Sequence, residues 1–377
     1  MNKIKIPNWK RAVIKVGSSL VAPDEKGCSS KYTLAIANFI IQNKYLGREI
    51  VLVSSGSVAA GLATQPSLKE KRNRSIPEKQ ALAAIGQSLL MQSWSRFFDF
   101  PCAQILLTMD GLHNRERYVN AKNTINELLK LNTLPIVNEN DTVAVEELKV
   151  GDNDNLAAHV AVLADADILI ICTDIDGLYD ANPNKNKGAK LIPFVENITP
   201  EIYSLAGDTN NPISTGGMKT KIEAAEKAVA GGIDTIIING TKAKSFDEIM
   251  KGYVYGTLVQ KLKTPVVAKK HWLMHAIQNE GRAYIDSGAK NAVINKGASL
   301  LPSGLTKIEG NFTVGSAISI VYEEGNRETT IAKGITQYSS QDLDKIKGKK
   351  SSEIENILGY INHEEVINRS DMVLINN

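Results

Sequence analysis

The chain has 377 residues, 43% of them hydrophobic and 23% charged, the composition of an ordinary globular protein rather than a disordered one, with room for two or three domains. Its 44 basic and 41 acidic side chains give a formal net charge of +3, too balanced for nucleic acid or an anionic membrane to be the main partner. The opening MNKIKIPNWKRAVIKVG lacks an apolar core, and no segment approaches the roughly 18 uninterrupted apolar residues of a membrane span, so a cytoplasmic location is expected.

From the N-terminus to about Gln260, short β-branched runs alternate with helical patterns. Strands are expected at Ala12 to Val16, Ile50 to Val53, Cys102 to Leu107, Leu134 to Val137, Asp167 to Cys172 and Thr235 to Asn239. Helical patterns fill Lys31 to Leu46, Pro77 to Phe98, Val119 to Leu131, Leu156 to Leu163 and Met218 to Ala230. This alternation predicts an α/β fold with a mainly parallel sheet, helices on both of its faces, and ligands at the carboxyl ends of its strands. The tract KLKTPVVAKKHW, from Lys261 to Trp272, breaks the pattern with Pro265 and four lysines and reads as a linker. Short strand-like runs and glycine-rich turns follow, so the expected organisation is a domain over 1–260, a linker over 261–277 and a small, mostly β domain over 278–377. That last segment carries 11 basic against 13 acidic side chains, a net acidic balance that argues against RNA binding as its main role.

Cys28, Cys102 and Cys172 are odd in number and far apart, and Cys102 and Cys172 sit in apolar runs, so reduced, buried thiols are expected rather than disulfides or a metal site. His271 and His275 are four residues apart, but Trp272, Leu273 and Met274 between them suit packing better than metal binding.

Polar residues gather where the predicted strands end. In AVIKVGSSL, Lys15 closes the first strand and Gly17, Ser18 and Ser19 follow. A buried-strand lysine needs an anionic partner, and the glycine turn would leave N–H groups for phosphate; an edge-strand lysine reaching water fits the same residues. IVLVSSGSVAAG repeats the arrangement with Ser54, Ser55 and Gly56 before a small-residue helix, either an anion site or an ordinary tight turn. LPIVNENDTVA ends its strand in Asn138, Glu139, Asn140 and Asp141, where an acid would suit a substrate ammonium. KVGDNDN places Asp152, Asn153, Asp154 and Asn155 ahead of the helix expected near Leu156, more capping residues than one helix uses. If Asp152 or Asn153 is the cap, Asp154 is left to pair with lysines of the cleft. TGGMKTK puts Lys219 and Lys221 in the first turn of a helix, where cations oppose the macrodipole and require an anion; polyphosphate is the obvious candidate. There is no G-x-x-x-x-G-K-[ST] loop, which disfavours a Walker-type nucleotide site.

Taken in order and spacing, Lys15 with Gly17, SSGSVAAG, NENDTVA, KVGDNDN, CTDIDGLYDANP and TGGMKTK resemble the motifs of the amino acid kinase family, in its glutamate-phosphorylating branch. The likeness spans nearly the whole chain, because the segment from about Gln278 resembles the PUA domain that many bacterial members carry. The resemblance implies a three-layer α/β/α sandwich and ATP-dependent phosphorylation of the γ-carboxylate of L-glutamate, the first step of proline biosynthesis. It also implies Mg2+, a homo-oligomer (dimer or tetramer) and feedback inhibition by proline. Carried over by motif, Ser55, Asp141 and Asn153 would hold glutamate, while Gly17, Thr173 and Asp174 would contact the nucleotide. Thr215, Gly216, Gly217, Met218, Lys219, Thr220 and Lys221 would form the nucleotide loop, with Lys15 and Lys221 on the transferring phosphoryl group and Asp154 organising them. Asn182 to Lys190 or Glu201 to Ser214 would be the segment that closes to exclude water.

Overall fold

A computed structural model of the chain describes residues 4–375 apart from 25, 70, 72, 145–152, 184–185, 207–216, 262–278, 326 and 362. Asp152, Thr215, Gly216, His271, His275 and nearly all of the expected linker lie outside the described residues. Packing divides the chain into two units, Met1–Leu112 with Glu116–Pro265, and Val266–Asn377 with His113–Arg115.

In the first unit, largely apolar runs become the strands β1 (Arg11–Val16), β2 (Glu49–Ser54), β3 (Cys102–Leu107), β4 (Leu134–Glu139), β5 (Ile168–Thr173), β6 (Phe194–Val195), β7 (Asp234–Asn239) and β8 (Gly256–Val259). They form one sheet in the order β3-β4-β2-β1-β5-β7-β8-β6. The six strands from β3 to β7 are mutually parallel, and β8 runs antiparallel to β7. The chain begins in the middle at β1, builds outward through β2, then crosses to β5 on the other side, so β1 borders the point where strand order reverses. In such sheets ligands bind outside the carboxyl strand ends at that point.

Around this sheet the principal helices are α1 (Ser18–Val21), α2 (Ser30–Tyr45), α3 (Ser57–Leu62), α4 (Ile76–Ser95), α5 (Arg115–Lys130), α6 (Asn153–Leu163), α7 (Met218–Ala230) and α8 (Ala243–Met250). Successive strand side chains point to opposite faces. Val13, Val53 and Ile171 therefore join Leu156 of α6 and Ile222 of α7 in one core. Ile14, Leu52 and Ile170 join Ile40 of α2, Trp94 of α4 and Phe246 of α8 in the other. The result is the expected α/β/α sandwich. Burial on both faces explains why the inner strands β1, β2, β4, β5 and β7 read as nearly continuous apolar runs rather than as an alternation, whereas the edge strand β3 is only partly buried.

Several details differ from the sequence reading. Helix α6 begins at Asn153, three residues before the expected Leu156, so Asn153 is helical and does not serve as the cap. Strand β4 runs on to Glu139, because Asn138 and Glu139 stay in register with Leu106 and Leu107 of β3 despite their polarity. Cys172 is buried, whereas Cys28 and Cys102 are only half-buried; all three thiols are free.

The C-terminal unit contains β9 (Asn279–Ile285), β10 (Leu305–Gly310), β11 (Ala317–Glu324), β12 (Arg327–Ile335) and β13 (Met372–Leu374), in the order β10-β9-β11-β12-β13. Its own core includes Ile285, Ile318, Ile320, Tyr338 and Ile367. Helices Ser287–Asn295, Ser340–Ile346 and Ile354–Leu358 add a helical share beyond the mostly β texture of the sequence.

Helices α3 and α4 meet backbone to backbone through two glycines. A Cβ on Gly86 would collide with the carbonyl oxygen of Ser57, and one on Gly61 with that of Leu82. Neither collision involves a flexible side-chain end, so the helices would have to separate. Gly86→Ala is expected to destabilise the protein by about 3 kcal/mol, the upper end of overpacking costs, as read from urea unfolding.

Candidate active site

The centre of the site is a buried ionic triad. On β1, Lys15 has the same parity as Val13, so its side chain leaves the sheet on the face covered by α6 and α7. There its ammonium lies 2.6 Å from Oδ1 of Asp154, while Lys221 reaches Oδ2 from the first turn of α7 at 3.0 Å. The hydroxyl of Thr220 donates to the same Oδ2 at 3.0 Å. Lys15 and Lys221 are each only 6% exposed and Asp154 only 1%, so Lys15 is not an edge-strand lysine reaching water. Burial alone raises the Asp154 carboxyl, but the attraction of Lys15 and Lys221 outweighs it and holds the group down at about 2. The anion demanded by cations at the start of α7 is thus already present within the chain as Asp154.

Each described member of the Asp/Asn run has a separate task. The Asn153 amide nitrogen donates to Oγ of Ser55 and to Oδ1 of Asn138, both at 2.8 Å. Asp154 gathers the two lysines, and Asn155 accepts from Lys227 of α7 at 2.5 Å. One helical turn therefore ties β2, β4 and α7 to the end of β1.

Ser55 follows β2 and is held by a backbone that only glycine tolerates at the next position: Gly56, the N-cap of α3, has a φ of 110°. From the first turn of α3, Ser57 donates to Oδ2 of Asp141 at 3.1 Å. Asp141 is buried beyond the end of β4, and that burial raises its carboxyl against the partial offset of the Ser57 bond. A cavity of about 320 Å³ adjoins it, lined also by Gln87, Gln104, Glu139 and Asn140.

On the other side of β1, Thr173 ends β5 and its hydroxyl donates to Asp174, which is exposed. The neighbouring strand end is built by residues the sequence reading passed over. Asn239 donates to Oδ1 of Asp176 at 2.8 Å and to the carbonyl of Asp174 at 3.2 Å, and Lys242 reaches Asp176 at 2.6 Å. The signal was in CTDIDGLYDANP, where a second aspartate follows the first by two residues. Gly17 caps α1; a Cβ there would lie 3.7 Å from the Lys15 ammonium, which places this backbone over the triad. Gly217 caps α7, Met218 is half-buried and Lys219 is exposed, so of the two first-turn lysines it is Lys221 that enters the triad. The structure thus gathers Lys15, Gly17, Thr220, Lys221 and Asp154 in one cluster, and links Ser55 to Asn153 beside it. Among the described residues, no three His, Cys, Asp or Glu side chains converge to hold a metal ion.

A sequence profile of the amino acid kinase family matches residues 10–239, and one of the PUA domain matches residues 281–358. The chain belongs to the amino acid kinase family. The glutamate 5-kinase of Salinibacter ruber is 53% identical to it over 374 residues, which cover 99% of this chain and 100% of that protein. That of Idiomarina loihiensis is 50% identical over 372 residues, 99% of each. The likeness to the glutamate branch read from the motifs is borne out over the full length. In this amino acid kinase, all the strand-end motifs that carry the resemblance lie between residues 10 and 239 of the sheet unit.

Removing the shared carboxylate tests the triad. Asp154→Ala leaves two buried ammonium groups without a counter-ion and is expected to cost about 3–5 kcal/mol in urea unfolding. In the native protein the folded Asp154 carboxyl titrates at about 2, below its unfolded value of about 3.9. Its contribution is therefore complete above the unfolded value and is lost as pH falls through the folded one, and the stability gap between wild type and Asp154→Ala should close over that interval.

Proposed function

We propose that this amino acid kinase transfers the γ-phosphoryl group of ATP to the γ-carboxylate of L-glutamate, forming L-glutamyl 5-phosphate and ADP and so opening proline biosynthesis. The observation that carries this reading is the end-to-end match, at about half identity, to glutamate 5-kinases. A buried lysine pair at the carboxyl ends of the sheet supports it.

The chemistry asks little of a proton-transfer group. The glutamate side chain, with a pKa of about 4.3, is already ionised at neutral pH and needs no general base. A carboxylate oxygen forms a bond to the γ-phosphorus, the bond to the β,γ-bridging oxygen breaks, and ADP leaves with the electron pair. What must be overcome is repulsion between a carboxylate and a polyphosphate, together with charge on the transferring group. Lys15 and Lys221 supply positive charge from two separate elements, β1 and α7. Asp154 keeps two mutually repelling ammonium groups in place before the nucleotide arrives, so little reorganisation is left for the reaction itself. Ser55, Asn153 and Asp141 form the pole that receives glutamate, with Asp141 facing its ammonium. Thr173, Asp174 and the start of α7 form the nucleotide pole. Mg2+ belongs in this reading to the ATP phosphates, where such an ion keeps most of its ligands from phosphate and water. A homo-oligomer and inhibition by proline complete the proposal.

Trapping the product with hydroxylamine, with glutamate, aspartate or N-acetylglutamate as acceptor, tests the activity: hydroxamate is expected from glutamate, and a preference for either other acceptor would overturn the assignment. Lys15→Ala and Lys221→Ala should each lower kcat by about 100-fold or more. Asp141→Ala should mainly raise the KM for glutamate, by about 10-fold or more. Wild-type turnover in Lys221→Ala would remove that lysine from the phosphoryl-transfer step.

A further inference from the structure

We propose that Gln87, on α4 and outside every motif of the site, is a positioning residue for the acceptor substrate that acts through a line of three amides; this rests on the reading of Asn153 as a glutamate contact. Along α4 the buried positions Ala83, Gln87, Leu90 and Trp94 form one stripe facing the core. A glutamine in that stripe loses its hydration and destabilises the fold unless its amide is bonded. Its Oε1 accepts from Nδ2 of Asn138 at 2.9 Å, and Oδ1 of Asn138 accepts from Nδ2 of Asn153 at 2.8 Å. The three side chains are 8%, 2% and 3% exposed. The neighbouring Gly86, pressed against the Ser57 carbonyl, brings this part of α4 close to α3 and fixes where the line starts.

Amides joined head to tail have two self-consistent directions, which reverse together. In the direction observed, Nε2 of Gln87 and Oδ1 of Asn153 are the two ends, both buried and without a hydrogen-bond partner. The unused atom at Asn153 is thus an acceptor, suited to a substrate ammonium; in the reversed direction it would be an N–H group that repels one. The direction is favoured at the far end. Gln87 lines the cavity of about 320 Å³ that also holds Glu139 and Asp141, and two carboxylates there favour its NH2 over its carbonyl oxygen. That leaves Oε1 for Asn138. Gln87 therefore presents Asn153 to glutamate in its accepting orientation without touching the substrate.

Steady-state kinetics of full-length Gln87→Met and Gln87→Glu, with thermal midpoints, test this. Methionine keeps length and packing but cannot accept, and should raise the glutamate KM by about 10-fold, with kcat and the KM for ATP within about two-fold of wild type. Glutamate at this position, kept protonated by burial beside Glu139 and Asp141, retains an accepting oxygen for Asn138 and an O–H in place of the NH2, and should bring the KM back to near wild type. Gln87→Leu replaces the methionine variant should that one fail to fold. A purely structural role would lower the thermal midpoint and the active fraction while leaving the KM for glutamate unchanged. A wild-type KM in Gln87→Met, or an equal rise in Gln87→Glu, overturns the inference while the proposed function stands; wild-type protein without glutamate-dependent turnover overturns both.

Discussion

One carboxylate holding two lysines is the constraint around which the site is organised. Two ammonium groups brought near one another in a dry interior repel strongly, and neither can be stripped of water without compensation. Asp154 answers both demands, with Lys15 at 2.6 Å on one oxygen and Lys221 at 3.0 Å on the other. The triad keeps a net positive charge, so it holds itself together in the free protein and still attracts anions. Its three members come from a strand and two helices, and the relative placement of β1, α6 and α7 is thereby fixed by the same contact that holds the two lysines together.

The sheet makes this geometry possible. Parallel strands end together on one edge, and strand order reverses beside β1, the position at which such sheets bind their ligands. Side-chain parity then decides which face each group reaches: Lys15 shares its face with Val13, toward α6 and α7, while Ile14 and Val16 serve the opposite core. A one-residue shift in β1 would send the lysine into apolar packing with α2.

Around the triad, polar side chains are held by other polar side chains rather than by solvent. Ser57 supports Asp141, Asn138 supports Asn153, and Asn239 supports Asp176. Such networks restrict rotamers and so set donor and acceptor directions before substrate arrives. The glycine crossing of α3 and α4 contributes to the same end, because it brings Ser57 and Gln87 close to β4.

Much of this was legible in the residues themselves. Strands buried on both faces must be built from long apolar runs, so β1, β2, β5 and β7 stood out, as did the polar residues ending them. The surplus of capping residues before α6 and the lysines at the start of α7 announced that charge was being placed for a purpose. What local pattern left open was the partner of each group. Lys15 and Lys221 are separated by more than half the chain, and only the packed sheet shows that their shared anion is Asp154. Likewise Asn138 and Glu139 looked like the start of a loop, yet pairing with β3 keeps them in the strand. Gln87 carried no motif at all. Sequence determines which side chains are available and on which face of its own element each one lies, because those follow from backbone period and burial cost; which distant groups meet is decided by the crossing of elements, a property of the assembled core alone.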